Sequence, residues 1–185
     1  MVFPEGVLNM SKPKIAVHKF SSCDGCQLAF LNLGETLLEL PKLVDIVHFA
    51  EAGPMDEDQP VDVALVEGSI NTAHDLERIQ RIRKNSGYLI SIGACATAGG
   101  LQALRNMADA NAWESAIYAS PEHLDSLDTA TAISAHVKVD LALWGCPVNS
   151  RQVLSALRDL LFGVAPRVER QPVCMECKRL GRVCT

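Results

Sequence analysis

No dense run of lysine or arginine occurs in the chain, and its 17 basic residues are outnumbered by 22 acidic ones, for a net charge of −5. The phosphate-contact footprint of a nucleic-acid binder is therefore missing. No apolar run reaches the ~18 residues needed to cross a bilayer, so no transmembrane segment is expected. Met1 to Lys12 holds neither a basic stretch ahead of an apolar core nor a twin-arginine pair, which makes the cytoplasm the expected compartment. Gly-x-Gly-x-x-Gly and phosphate-loop patterns are absent, so the chain is not expected to bind a dinucleotide itself. No Ser/His/Asp or nucleophile-elbow pattern is visible, and no residue is assigned a catalytic role. Internal repeats and low-complexity tracts are absent too. Aromatic residues are few, at 5%, but 48% apolar and 21% charged residues are ordinary for a soluble globular chain and argue against disorder. A chain of 185 residues suggests one main domain with a short appendage, and a domain of that size buries roughly 70% of its unfolded surface.

Short apolar runs alternate with amphipathic stretches, the pattern of a mostly parallel sheet with helices on both faces. Ile15, Val17 and Phe20 mark the first strand. A turn at Ser21–Gly25 leads into a helix predicted over Gln27–Leu40, with Leu28, Leu31, Leu37, Leu38 and Leu40 as its core stripe and Pro41 as its stop. Ile46, Val47 and Phe49 mark the second strand, and the acidic Glu51–Pro60 reads as a loop. Val61–Val66 is a third strand, followed by a helix over Thr72–Asn85 with Leu76, Ile79 and Ile82 buried. Tyr88–Ile92 is the fourth strand, the turn Gly93-Ala94-Cys95 follows, and a short helix covers Leu101–Met107. Asp109–His136 reads as loop and short helix. Val137–Trp144 is the fifth strand. Ser150 is the expected N-cap of a last helix in which Val153, Leu154, Leu157, Leu160 and Leu161 share a face and which Gly163 stops. These boundaries divide the chain into an N-terminal extension (1–13), a main domain (14–165) and a cysteine-containing tail (166–185).

The chain has seven cysteines, an odd number that rules out complete internal pairing, and a reducing compartment favours metal binding over disulfides. Four of them occupy one kind of place. Cys23 and Cys26 follow the first strand, Cys95 the fourth and Cys146 the fifth. All carboxyl ends of a parallel sheet lie on one edge, so cysteines with 68 and 50 residues between them in sequence can converge there. Four thiolates from three loops match the ligand count of a [4Fe–4S] cluster or of a structural zinc. Gly25, Gly93, Gly145 and Pro147 bracket these ligands, and small residues let backbone amides approach a cluster's sulfurs. A structural zinc more often has two paired CxxC knuckles, and only one pair exists among these four. Taken alone, Cys23-x-x-Cys26 reads equally well as a redox dithiol or as chance.

Ser22-Cys23-Asp24-Gly25-Cys26-Gln27, Gly93-Ala94-Cys95-Ala96 and Gly145-Cys146-Pro147, in this order across about Lys14 to Phe162, resemble the small subunit of nickel–iron hydrogenases. The resemblance implies a flavodoxin-like domain holding a proximal [4Fe–4S] cluster beside a large subunit's nickel–iron centre. It implies Cys23, Cys26, Cys95 and Cys146 as the ligands. Val66-Glu67-Gly68 also matches a family motif at a strand end, which places Glu67 near the cluster or at the large-subunit contact; the alternative is that it caps the next turn. The branch that looks nearest is the cytoplasmic, NAD(P)-linked or sulfhydrogenase delta-like one, in view of the short chain and the missing twin-arginine leader. The cluster subunit of respiratory complex I is related, but its members carry adjacent cysteines in the first motif, where this chain has Cys-Asp-Gly-Cys. The expected role is electron relay between the large-subunit Ni–Fe site and a diaphorase or other flavin- or iron–sulfur-bearing partner, with no hydrogenase activity in the isolated chain. The competing readings are a quinone or NADH oxidoreductase cluster subunit and a zinc-stabilised binding module.

In the tail, Cys174, Cys177 and Cys184 form C-x2-C-x6-C, which suits a second metal site and resembles the start of a ferredoxin-like extension. Three ligands do not complete a four-cysteine cluster. A truncated second cluster region, a three-ligand or partner-completed cluster, and free or zinc-bound cysteines all remain open. Lys178, Arg179 and Arg182 read as a solvated tail that partly offsets thiolate charge, His74 as a surface residue, and His18 as packed or exposed rather than a ligand.

Overall fold

The computed structural model describes residues 12–53, 55–167 and 174–183. Five strands form one all-parallel sheet: β1 (Lys14–Lys19), β2 (Asp45–Phe49), β3 (Val61–Glu67), β4 (Ser86–Ile92) and β5 (Leu141–Leu143), in spatial order β2-β1-β3-β4-β5. This is the flavodoxin-like order, with its switch point between β1 and β3. The near-continuous apolar run of β3 follows from burial on both faces. Side chains of a strand alternate between faces, so Val63 and Leu65 enter one core while Ala64 and Val66 enter the other.

The first core gathers Ile15, Val17, Phe49, Ile90 and Leu143 under α1 (Gly25–Leu31), α2 (Glu35–Leu43) and α6 (Ser150–Leu161), which contribute Phe30, Leu40, Val153 and Leu157. The second lies under α3 (Ala73–Lys84), with Ile79 and Ile82, and α4 (Gly93–Ala98), with Ala96. Helix α3 begins as its sequence predicts. The Thr72 hydroxyl accepts from Asp75 N and the Asp75 carboxylate accepts from Thr72 N, both at 3.0 Å, in a reciprocal capping box.

Five expectations need correction. The single helix over Gln27–Leu40 is two helices, broken at Asn32–Gly34, where Gly34 takes φ +60°, and Pro41 lies inside α2 rather than ending it. The leucine stripe holds only in part: Leu40 is buried and Leu31 packs against the core, but Leu28 and Leu38 are exposed, and Cys26, Gln27 and Phe30 enter the core as well. Cys95 sits within the short helix α4 rather than in an open turn. The fifth strand shrinks to three residues, because Val137 and Val139 pack on the second core before the chain joins β4. Asn149, not Ser150, caps α6, its side chain accepting from Arg151 N at 3.0 Å. The segment around Asp109–His136 carries α5 (Ala110–Ile117) between short 3-10 turns, and Leu101–Met107 belongs to a 3-10 helix, Gly100–Met107.

Candidate iron–sulfur site

The predicted ligands occupy three loops at the carboxyl edge of the sheet, over the switch point. Backbone bonds tie these loops together. Phe20 N donates to Glu67 O at 2.8 Å, and Ser21 and Ser69 exchange N–H···O bonds of 3.2 and 2.9 Å, which joins the loop after β1 to the loop after β3. Ala94 N donates to Gly145 O at 2.7 Å, which joins the loops after β4 and β5. The cysteine positions are thus fixed by continuations of the sheet itself.

Cys26 is buried on the first turn of α1, and Val148 N donates to its Sγ at 3.4 Å. Cys23 is exposed, Cys95 half-buried and Cys146 exposed beside a cis bond to Pro147. A Cβ on Gly25 would lie 3.3 Å from Cys23 Sγ and 3.7 Å from Pro147 Cβ, so the first and last cysteine loops meet there. A Cβ on Gly93 would lie 2.3 Å from Cys26 Sγ, and one on Gly100 would lie 2.6 Å from Cys95 Sγ. Gly93 and Gly100 also take φ of +82° and +62°, so both the space and the backbone require glycine. Three of the four sulfurs are therefore seated against a missing side chain.

The electrostatics couple these groups. Burial pushes the Cys26 thiol up to about 12, partly relieved by the Val148 N–H and reinforced by Glu67 and Cys95. Burial also raises Cys95; the Gln102 side chain opposes the shift, and Cys23, Cys146 and Glu67 add to it. Cys26 and Cys95 resist ionisation here unless positive charge arrives to hold them as thiolates, which is what iron supplies. Among the described residues, no three Cys, His, Asp or Glu side chains gather closely enough for a single ion. Sulfurs around a tetrahedral zinc at about 2.3 Å lie about 3.8 Å apart, whereas a cluster of four irons holds its thiolates farther apart. Four cysteines on three loops, with glycines against their sulfurs, fit such a cluster.

Glu67 is buried and caps α1, accepting from Cys26 N at 3.0 Å and Gln27 N at 3.3 Å. It therefore serves the helix after β1, across the sheet, rather than the turn after its own strand. Burial raises its pKa, and those two N–H donors pull it back. Asp24, at φ +64°, turns the chain between Cys23 and Cys26 and is anchored by Lys19 Nζ at 2.8 Å. His18 is packed as expected, stacked on His48 with ring centroids 4.7 Å apart, and His74 is exposed.

Two contributors escaped the sequence reading. Val148 acts through its backbone N–H, which no side-chain pattern reveals. Gln102 reaches back to donate to Ser21 O at 2.9 Å, and nothing in its neighbours marks it. In the tail, Cys177 is exposed on a short helix, α7 (Cys174–Arg179), the Cys174 side chain and Cys184 lie outside the described residues, and so does most of the 1–13 extension.

Beside the site, the 3-10 helix places Leu101, Leu104 and Met107 along one line, since it repeats every three residues. They are 77%, 59% and 84% exposed, and Trp144, two residues before Cys146, is 59% exposed. No helix among the described residues is long and apolar enough to cross a membrane.

Residues 23–160 match the family described as NADH ubiquinone oxidoreductase, 20 Kd subunit. The chain is 34% identical to subunit delta of sulfhydrogenase 2 from Pyrococcus furiosus, over 89% of this chain and 69% of that protein. It is 30% identical to subunit delta of the NAD-reducing hydrogenase HoxS from Cupriavidus necator, over 82% of this chain and 80% of that protein. The curated relatives are longer, and the chain spans 59% to 80% of their lengths. A crystal structure of an NAD+-reducing [NiFe]-hydrogenase in its H2-reduced state contains a chain similar to this one, with a TM-score of 0.78 and 27% identity, covering 86% of this chain and 96% of that one.

Proposed function

The chain belongs to the NADH ubiquinone oxidoreductase 20 Kd subunit family, and from that premise we propose that it is the electron-transfer small subunit of a cytoplasmic nickel–iron hydrogenase. Cys23, Cys26, Cys95 and Cys146 hold a proximal [4Fe–4S] cluster, which when bound supplies a one-electron carrier. The carrying observation is the convergence of these four cysteines over the switch point, with glycines against three of their sulfurs. The hydrogenase names of the similar proteins choose among the chemistries that this site allows.

The residues of this chain ligate, exclude water and dock. Cys26 and the Val148 N–H form the dry side of the site. Glu67 holds the first turn of α1 so that Cys26 faces Gly93. Cys23 and Cys146 lie at the exposed side, where electrons enter or leave. A large subunit carrying the Ni–Fe centre covers the apolar ridge of Leu101, Leu104 and Met107 together with Trp144, and a diaphorase-type partner takes the electrons onward.

Anaerobic purification of the chain with its bound partners tests this, by counting iron, acid-labile sulfide, nickel and zinc. About four iron and four sulfide per chain are expected, with nickel in a co-purifying larger chain. In a Cys95→Ser variant the cluster is lost or converted; unchanged iron and spectrum refute the ligand assignment. Zinc without sulfide leaves a structural metal-binding module instead. A second reading, a quinone-reductase cluster subunit, is favoured by the family's own description; nickel in the co-purifying chain rules it out.

A further inference from the structure

The Gln102 side chain spans two of the cysteine loops. Its Nε2 donates to Ser21 O at 2.9 Å, two residues ahead of Cys23. Its Oε1 is buried and has no hydrogen-bond partner among the described residues, an arrangement that costs about 1–3 kcal/mol if nothing relieves it. That orphaned oxygen points toward the site. The position of a Cβ on Gly100 lies 2.9 Å from Gln102 Oε1 and 2.6 Å from Cys95 Sγ, so the two atoms converge on one glycine.

A protonated thiol can donate to an amide oxygen, but a thiolate only accepts. Once the Cys95 sulfur is bound to iron, the amide must therefore present N–H there, and Nε2 carries a second hydrogen beyond the one it gives to Ser21 O. A bond from that hydrogen to the charged sulfur is charge-assisted and leaves the Ser21 bond in place.

We propose that Gln102 is a positioning and tuning residue for the cluster: its side-chain N–H bonds to the iron-bound sulfur of Cys95 and raises the reduction potential. The reason is electrostatic. Reduction adds negative charge to a group whose thiolates are already anionic, and an N–H directed at one of those sulfurs favours the more negative state. This rests on the cluster assignment above. Gln102 touches no substrate and acts only through Cys95.

The test uses the anaerobically purified complex, with iron and sulfide counted first and the potential then read by redox titration followed by electron paramagnetic resonance. Gln102→Leu keeps the bulk and removes the donor; its cluster should load fully and reduce at a more negative potential than wild type. Gln102→Glu keeps the shape and adds negative charge, so it should reduce at a more negative potential still, and it carries the test if the leucine variant folds or loads poorly. Gln102→His, which restores a donor, should recover part of the shift. A fully loaded cluster whose potential is the same in wild type and both of the first two variants overturns the role of Gln102 alone. A wild-type complex without iron and sulfide overturns the cluster assignment and this inference with it.

Discussion

Gly93→Ala offers the sharpest test of the cysteine cradle. The added methyl would sit 2.3 Å from Cys26 Sγ, short of ordinary van der Waals contact by more than ~1 Å. Cys26 cannot yield easily, because its sulfur accepts from Val148 N and its own N–H is held by Glu67. Alanine at φ +82° adds backbone strain of about 1–2 kcal/mol. The sulfur or the loop must therefore move by about an ångström or more, enough to spoil ligation by one cysteine of four. Gly34→Ala separates the two effects. Gly34 has φ +60° with nothing within 4 Å of its missing Cβ, so the same substitution there imposes strain without the clash. Both variants should lose comparable stability from the backbone, but only Gly93→Ala should lose iron, sulfide and the visible absorption of the site. The assay is iron and sulfide per chain after anaerobic purification, beside an unfolding midpoint. A Gly93→Ala protein with wild-type iron and an unchanged spectrum refutes the cradle; equal iron loss in Gly34→Ala shows that strain, not the contact, is responsible.

Burial, with His48 and Arg78 close by, lowers the His18 pKa from 6.5 to about 3. The unfolded chain therefore takes up a proton that the folded chain refuses, and stability falls as pH drops from about 6.5 toward 3, by about 2 kcal/mol at pH 5. In His18→Phe, which keeps a ring for His48 to stack on, the loss of denaturation midpoint between about pH 7.5 and about pH 5 should shrink by that amount, and an unaltered pH dependence contradicts the reading. On the apolar ridge, Leu104→Glu should leave the fold and the iron content intact while weakening capture of the large subunit by roughly 10- to 100-fold, the loss of one buried leucine side chain; undiminished co-purification places the docking surface elsewhere.

The flavodoxin-like order was legible in sequence because its signals are local: doubly buried strands such as β3 read as apolar runs, and a parallel sheet puts every strand-end cysteine on one edge. Cys23, Cys26, Cys95 and Cys146 could be grouped on that ground alone. What the residues of Gln27–Leu40 face was not legible. At 3.6 residues per turn Leu28, Leu31 and Leu38 share a face, but Leu37 and Leu40 fall on the other side, so one continuous helix could not bury all five. The break at Gly34 lets α1 and α2 pack separately, burying Phe30 and Leu40 and leaving Leu28 and Leu38 exposed.

Composition, the alternation of strand and helix, and the placement of cysteines after strands β1, β4 and β5 were determined by the sequence itself, since each depends on a residue and its near neighbours. Only the tertiary structure decided that Glu67 caps the helix that follows β1, that Val148 gives its N–H to Cys26, and that Gln102 reaches Ser21 O. Those contacts join residues far apart in the chain or act through backbone atoms common to every residue, and they exist only once the sheet has brought its loops to one edge.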